Sequence, residues 1–232
     1  MKFKSTKDVS SERFVSLVVG PSGIGKTSLA RTLPEPHEKT LIISAESGLL
    51  CLSGTDIPVF EVNPESPWES LTEVFEFLST NEAKKKFSFL FIDSLTEIAQ
   101  LILSELRKDP KLSDAKNGFL LWGQYADRMT KIIKIFRDFK PYSVIFTCLS
   151  TVEKDGLNLI DDFSMPGQSV KENLKAYFDL VLHYQVFTDD EGGKHRKLIT
   201  DMEISRLAKD RSGLLDTYED ASLETIINKI IK

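Results

Sequence analysis

Two patterns of apolar and polar positions alternate along the chain: continuous apolar runs, which predict strands, and apolar residues at steps of three and four, which predict helices. Continuous apolar runs are typical of strands that a parallel sheet buries on both faces. Such runs occupy 14–19, 40–46, 87–93 and 142–149, with a shorter edge run at 58–62. Apolar residues at steps of three and four predict amphipathic helices at 26–33, 66–79, 94–108, 119–139 and 222–231. Strands that alternate with helices indicate an α/β fold with a mostly parallel sheet.

The chain after residue 150 has a different pattern. The segment 151–172 is polar, and we predict that it is a mobile loop suited to contact a polymer. Runs at 178–187, 194–200 and 203–209 predict a late β-meander that extends the sheet, with "TDDEGG" as the first turn. No internal repeat, linker or low-complexity tract interrupts the sequence.

Length and composition agree with one globular domain. The chain has 232 residues, of which 41% are hydrophobic, and this is enough to bury a sizeable core. Its 35 acidic and 30 basic residues give a net charge of -5, which excludes a polybasic nucleic-acid-binding protein but allows a local basic groove. We predict one domain over 1–232, with a short extension at 1–12 and a C-terminal helix at 222–232.

The cysteines and the chain start bear on the cellular setting. Cys51 and Cys148 lie in apolar runs and are predicted to be small buried side chains, without disulfide or zinc-binding spacing. The first residues lack an apolar signal core, and no apolar run reaches membrane-spanning length. These features predict a cytoplasmic protein with no membrane partner.

The most specific motif is "GPSGIGKT", which matches the pattern G-x-x-x-x-G-K-[ST] between a predicted strand and a predicted helix. Its glycines let successive backbone N–H groups wrap a β-phosphate. Lys26 then reaches the β- and γ-phosphates, the Thr27 hydroxyl joins Mg²⁺, and the helix that begins near Lys26 directs its N–H groups at the same anion. The predicted nucleotide contacts are Gly20, Pro21, Ser22, Gly23, Ile24, Gly25, Lys26, Thr27 and Ser28.

Two acidic residues are candidates for the chemistry beside this loop. Asp93 ends the run 87–93 at the carboxyl edge of the sheet, where it could hold Mg²⁺ through water. Ser94 follows it, so the common Asp-Glu pair is absent and the base must come from another strand. Glu46 ends the run 40–46 at the same edge and could accept a proton from water. An acid that only caps a turn is the alternative.

The order of these motifs resembles the RecA-type ATPase core. The chain has a phosphate loop, a strand followed by Ala45 and Glu46, a strand followed by Asp93 and Ser94, and a strand that ends in Thr or Ser. Five pieces are similar to phage-encoded ATP-binding proteins with a minimal RecA-like core, associated with recombination and single-strand annealing. They are "FIDSLTEI", "WGQYADRM", "VIFTCLS", "MPGQSVKENLKAYFDLVLHY" and "AKDRSG".

This resemblance spans 14 to about 215 and implies a P-loop NTPase fold, ATP and Mg²⁺ as cofactors, and Glu46 as the catalytic base. It also implies host cytoplasm as the location if the protein is phage-encoded. One departure is Ser44, which stands where this narrower group usually has Asp, so a supporting acid is missing.

The resemblance also suggests roles for four residues outside the loop. Thr147 and Ser150 end a strand that RecA-like cores place between the loop strand and the Asp93 strand, so they are candidate sensors of the γ-phosphate. Ordinary β-favouring residues are the alternative. Lys209 and Arg211 lie on one side if "AKDRSG" is extended. In RecA-like assemblies such residues reach the nucleotide of a neighbouring subunit, which implies a homo-oligomer, a ring or a filament. Solvated surface charges are the alternative.

The candidate polymer substrate is single-stranded DNA. Single-stranded DNA is implied by the resemblance, although 151–172 holds two lysines and five acidic residues, which argues against tight phosphate binding. Segment 109–118 adds two lysines. The leading hypothesis is an Mg²⁺-dependent, DNA-stimulated ATPase. A small-molecule kinase shares the phosphate loop, and a nucleotide-dependent switch that docks a partner protein is a third hypothesis.

Overall fold

Ten strands make one mixed sheet in the computed structural model, which describes residues 12–46, 48–113, 118–155 and 158–231. The strands are β1 (Val15–Gly20), β2 (Thr40–Ser44), β3 (Val59–Glu61), β4 (Phe89–Asp93), β5 (Ser143–Asp155), β6 (Asn158–Phe163), β7 (Leu180–Thr188), β8 (Lys194–Ile199), β9 (Lys209–Asp210) and β10 (Tyr218–Asp220). The helices are α1 (Pro36–Lys39), α2 (Pro67–Ser79), α3 (Asn81–Lys86), α4 (Leu95–Arg107), α5 (Pro110–Ser113), α6 (Gly118–Asp138), α7 (Gln168–Leu174) and α8 (Leu223–Ile230). Short 3₁₀ helices span Thr27–Thr32, Leu49–Leu52 and Lys175–Tyr177.

The strand order confirms the predicted α/β architecture. Neighbouring strands run β10-β8-β7-β1-β5-β4-β2-β3, and the pairs from β7 to β3 are parallel. Strand β5 lies between β1 and β4, as expected for a RecA-like core. Val18 pairs with Thr147, and Ser44 pairs with Asp93, so the carboxyl ends of β1, β5, β4 and β2 meet at one edge. Open α/β sheets bind ligands at this edge.

The parallel strands are buried because both faces of the sheet are covered. Leu17 and Val19 of β1 face one core, which α2, α4 and α6 cover. Val18 faces a second core formed with the Thr27–Thr32 helix and α8. An apolar residue therefore suits every position of β1, which explains why its run is continuous rather than alternating.

The C-terminal strands confirm the predicted meander but not all of its parts. Strands β7, β8 and β10 pair antiparallel in sequence, and β7 also pairs with β1. The prediction of a strand at 203–209 was wrong, because only Lys209–Asp210 pairs, with the start of β7. Backbone hydrogen bonds from Ile204 and Ser205 to Asp201 form turns in the preceding segment, so its apolar residues pack without a ladder.

The prediction of a mobile loop at 151–172 was also wrong. Strand β5 continues past the sheet edge and pairs with β6 from Ser150–Phe163 to Asp155–Asn158, and α7 follows. Residues 156 and 157 lie outside the described part of the chain. The sequence carries an Asp-Gly turn dipeptide at 155–156 between two runs of β-favouring residues, which is a hairpin signal.

Further expectations concern the chain ends, the cysteines and membrane-spanning segments. The helix predicted at 222–232 is α8 with Ser222 as its N-cap, whereas residues 1–11 of the predicted extension lie outside the described part. Cys148 is buried as predicted, but Cys51 is exposed, because its short 3₁₀ helix lies on the surface. Among the described helices, none is both long and apolar enough to cross a membrane.

Candidate functional site

The predicted phosphate loop follows β1 at the carboxyl edge of the sheet, and its backbone requires glycine at two positions. A Cβ atom on Gly20 would lie 2.8 Å from the carbonyl oxygen of Tyr184 in β7. Gly25 has a φ of 106°, which favours glycine over residues with a side chain. The helix predicted at 26–33 is present as the 3₁₀ helix Thr27–Thr32. The loop therefore has the close packing and backbone shape that its glycines predict.

Lys26 lies inside this loop rather than in solvent. Its side chain is buried, with 8% of the residue exposed, and its Nζ donates to the carbonyl oxygens of Gly20 and Pro21 at 2.9 Å each. Burial lowers the pKa of the Lys26 ammonium, whereas the nearby carboxylates of Asp93 and Glu46 oppose this shift. The ammonium is thus held over the loop, with hydrogen bonds that it can exchange for bonds to a phosphate.

Asp93 ends β4 directly beside Thr27. The Thr27 hydroxyl donates to Asp93 Oδ2 at 2.6 Å, and the Thr147 hydroxyl donates to Oδ1. Asp93 is 2% exposed, and burial raises the pKa of its carboxyl group, although the hydrogen bonds from Thr147 and Thr27 and the charge of Lys26 lower it. A carboxylate and a hydroxyl are the hard oxygen donors that Mg²⁺ prefers.

The Asp93 carboxylate and the Thr27 hydroxyl suit Mg²⁺, which keeps water and phosphate ligands, better than a metal ion that needs all its ligands from protein side chains. No group of three or more His, Cys, Asp or Glu side chains suited to a metal ion occurs in the described part of the chain. Mg²⁺ is usually held by one or two carboxylates together with water and the phosphates of a nucleotide. Thr27 and Asp93 could therefore hold it only with a bound nucleotide.

Glu46 lies two residues beyond β2 and is partly exposed. The Ser94 hydroxyl donates to Glu46 Oε1, and the amide of Ala45 donates to the carbonyl oxygen of Asp93 at 2.7 Å. Glu46 and Asp93 thus lie on adjacent strand ends, as the sequence predicts. Ser44, at the position of the missing acid, donates to the carbonyl oxygen of Glu46 at 2.6 Å and so holds the backbone of this turn.

Ser94 is a site residue whose role the sequence prediction missed. Its oxygen accepts a hydrogen bond from the amide of Glu97 at 3.2 Å, which makes it the N-cap of α4. The same hydroxyl donates its proton to Glu46. The signal in the sequence was the pattern Ser-x-x-Glu at the start of a helix. One serine therefore fixes both the helix that follows Asp93 and the carboxylate of the candidate base.

The two candidate sensors have different positions. Thr147 is fully buried and contacts Asp93, so its hydroxyl orients the candidate metal-side acid. Ser150 pairs with Phe163 at the start of the β5–β6 hairpin and is partly exposed. Thr147, which contacts Asp93, and Ser150, which begins the hairpin, therefore lie on the same strand, β5.

Lys209 and Arg211 are not brought to the phosphate loop of their own chain. Strand β9 pairs with Leu180 and Val181 at the start of β7, near the amino edge of the sheet. Lys209 Nζ donates to the carbonyl oxygens of Lys175 and Phe178, at 2.9 and 2.7 Å. Arg211 contacts Asp179 at 3.1 Å. The loop is about one strand length away, on the order of 17 Å.

A different basic residue does contact the loop. Arg196 of β8 donates from Nε to the carbonyl oxygen of Ile24 at 3.0 Å, across 172 residues of chain. Sequence reasoning missed it because nothing in the local pattern around "KHRKL" indicates which strand will lie beside the loop.

The chain is similar to a protein family and, more weakly, to solved structures. No curated protein sequence matches the chain. A solved structure described as a prototypical ATPase from the type III secretion system of pathogenic bacteria is 14% identical, with a TM-score of 0.46. The match covers 74% of this chain and 51% of that one, so the chain spans about half the length of that ATPase.

A family model described as an AAA domain matches residues 13–212. This range contains the phosphate loop, Glu46, Asp93 and the parallel strands that carry them. The protein therefore belongs to the AAA domain family, as a P-loop ATPase domain with a RecA-like, mostly parallel sheet.

Proposed function

We propose that this protein hydrolyses ATP with Mg²⁺ and acts on single-stranded DNA in recombination, annealing or repair of the phage type. The observation that carries the hydrolytic part is the convergence of Lys26, Thr27, Asp93 and Glu46 at one edge of the sheet. A phosphate loop alone would serve a kinase or a switch equally well. A carboxylate held beside the metal-side acid adds a group that can take a proton from water.

Each residue of this set has a separate task in the proposed reaction. Lys26 turns from the carbonyl oxygens of Gly20 and Pro21 to the β- and γ-phosphates and neutralises their charge. Bound Mg²⁺ would neutralise charge on the same phosphates, with Thr27 and Asp93 as the residues that hold it. The water oxygen bonds to the γ-phosphorus while the bond to the β-phosphate oxygen breaks and ADP leaves. Glu46 takes the proton that this water loses, and Ser94 restricts the Glu46 carboxylate to one orientation.

The DNA part of the proposal depends on the resemblance and on the course of β5. Thr147 contacts Asp93, and the same strand continues into the β5–β6 hairpin, so the hairpin is connected directly to the nucleotide edge. Asp162 of this hairpin is paired within the chain, since it binds Lys171. Pairing reduces the repulsion that free acids would exert on a phosphate backbone.

The first test is ATP hydrolysis with and without single-stranded DNA, measured beside sedimentation mass. We expect Mg²⁺-dependent release of phosphate that single-stranded DNA accelerates and double-stranded DNA accelerates less. Transfer of the γ-phosphate to a nucleoside or metabolite would instead indicate the kinase. Tight nucleotide binding with negligible turnover, even with DNA present, would indicate the switch.

We further propose that the active site is shared between subunits, with Arg211 as the group that reaches the neighbour's nucleotide. Its position near the amino edge of the sheet removes it from its own loop. The Arg211–Asp179 pair is exposed, at 55% and 42% of the two side chains, and such pairs contribute only about 0–1 kcal/mol. The guanidinium also donates to the carbonyl oxygen of Ala176, in an exposed hydrogen bond of 3.4 Å, so Arg211 can be redirected at little cost. Lys209 bonds two carbonyl oxygens, and burial lowers its pKa, so we assign it a supporting role.

A mixing experiment tests the shared site. Arg211→Ala should bind ATP normally but hydrolyse it slowly, since such a residue can contribute about 10³- to 10⁵-fold to the rate. In an equal mixture with Lys26→Ala, half of the subunits carry an intact Lys26 and the other half an intact Arg211. About a quarter of the interfaces of a head-to-tail oligomer should then combine both intact groups, and hydrolysis should recover accordingly.

Arg206→Ala is the matched control, as an exposed arginine in the preceding turn. It should retain full activity. A rate that is linear in protein concentration down to a monomeric sample, with no recovery on mixing, would contradict the shared site.

A further inference from the structure

Arg196 makes a contact with the phosphate loop that the roles above do not use. It pairs with Val186 in the β7–β8 ladder, which places it on the same face of the sheet as Tyr184. From there its Nε donates to the carbonyl oxygen of Ile24 at 3.0 Å. Among the described residues, Ile24 is the hydrogen-bond partner of the Arg196 guanidinium, and Arg196 as a whole is exposed.

The bond has a geometric consequence for the next residue. The peptide between Ile24 and Gly25 is trans, so its carbonyl oxygen and its N–H point in opposite directions within the peptide plane. Because the Ile24 oxygen is directed to β8, the Gly25 N–H is directed away from β8. Gly25 has a φ of 106°, and because glycine lacks a side chain, its backbone conformation is only weakly restricted by the residue itself.

Tyr184 limits the movement of the loop from the same side. Its carbonyl oxygen lies close behind Gly20, and its hydroxyl would lie 3.8 Å from a Cβ atom on Gly25. Tyr184 is buried and therefore restricts the loop from this side. Arg196 adds a hydrogen bond to the carbonyl oxygen of Ile24 on the same side. Strands β7 and β8 thus contribute the back of the nucleotide site although they carry no part of its motif.

We propose that Arg196 is a positioning residue that holds the Gly25 N–H toward the β-phosphate of a bound nucleotide. The inference rests on the nucleotide binding proposed above. Backbone N–H groups of such loops cradle the α- and β-phosphates, which ATP and ADP share. Arg196 therefore supports binding of both nucleotides equally. A planar guanidinium suits this role because its Nε direction is fixed by the side chain, whereas a lysine ammonium rotates freely.

Calorimetric titration with Mg-ATP and Mg-ADP tests the proposal. Arg196→Ala should raise both dissociation constants by about tenfold, the effect of one well-placed hydrogen bond. In hydrolysis assays kcat/KM should fall by at least the factor by which the dissociation constant rises, because the β-phosphate is the leaving group and gains negative charge in the transition state. Arg196→Lys, which keeps the charge but lacks the fixed Nε donor, should remain weakened.

Lys194→Ala is the matched control for charge. Lys194 is exposed two residues earlier on the same face of β8, opposite Thr188. Its removal should leave both dissociation constants unchanged.

Four results would overturn the inference. A loss confined to ATP would indicate direct contact with the γ-phosphate, and an equal loss in Lys194→Ala, or full recovery in Arg196→Lys, would indicate charge alone. Unchanged binding in Arg196→Ala would show that the contact has no role in binding. A wild-type protein that binds neither nucleotide would remove the proposed function instead, and the two failures are therefore distinguishable.

Discussion

Replacing Lys26 by alanine is expected to abolish ATP hydrolysis while leaving the protein folded. The ammonium is buried in the loop, with no partner in either core, so its removal deletes two hydrogen bonds to loop carbonyls and little packing. Charge-assisted bonds to phosphate would be lost as well, which should weaken triphosphate binding by about 10- to 100-fold. Titration with Mg-ATP, phosphate release and thermal melting without nucleotide measure the three effects.

Lys84→Ala is a suitable control for the Lys26 variant. Lys84 is an exposed lysine on α3, so the same chemical change is made away from the loop. It should bind and hydrolyse ATP like the wild type. Hydrolysis at the wild-type rate by Lys26→Ala would remove the assignment of the phosphate site.

Replacing Glu46 by glutamine is expected to separate binding from turnover. The amide has the size of the carboxylate, and its oxygen can still accept the hydrogen bond from Ser94, so the turn should keep its shape. It cannot take a proton from water, and loss of a general base typically lowers the rate by about 10²- to 10⁴-fold. Single-turnover hydrolysis beside Mg-ATP titration should show a low rate constant with an unchanged dissociation constant.

Glu69→Gln, on the exposed face of α2, makes the same change outside the site and should be without effect. Unchanged turnover in Glu46→Gln would return Glu46 to the turn-capping role that the sequence left open. The base would then have to be sought among other groups near Asp93.

Prediction from the sequence succeeded where one segment carries the whole signal. The run before Gly20 is apolar at every position because β1 is covered on both faces, and the loop needs glycine for reasons of backbone shape and close approach. Asp93 was placed correctly because a parallel strand ends at the ligand edge of its sheet. Their roles in binding and catalysis remain predictions, whereas their proximity is a property of the fold.

The errors came from segments whose structure depends on partners distant in sequence. The polar composition of 151–172 suggested a mobile loop, but β5 pairs with β6 and Asp162 binds Lys171. Cys51 was expected in a core because its neighbours are apolar, yet its short 3₁₀ helix lies at the surface. Burial is decided by what covers a residue, which local composition does not specify.

The sequence by itself determined the phosphate loop and the two carboxylates that end the apolar runs 40–46 and 87–93. These follow from periodicity and from chemical requirements that act within a few residues. Only the tertiary structure decided that Ser94 holds Glu46, that Thr147 contacts Asp93 and that Arg196 lies against Ile24. The physical reason is that each of these hydrogen bonds joins segments far apart in the sequence, by 48, 54 and 172 residues respectively. Such contacts form only when the packed sheet brings the elements together.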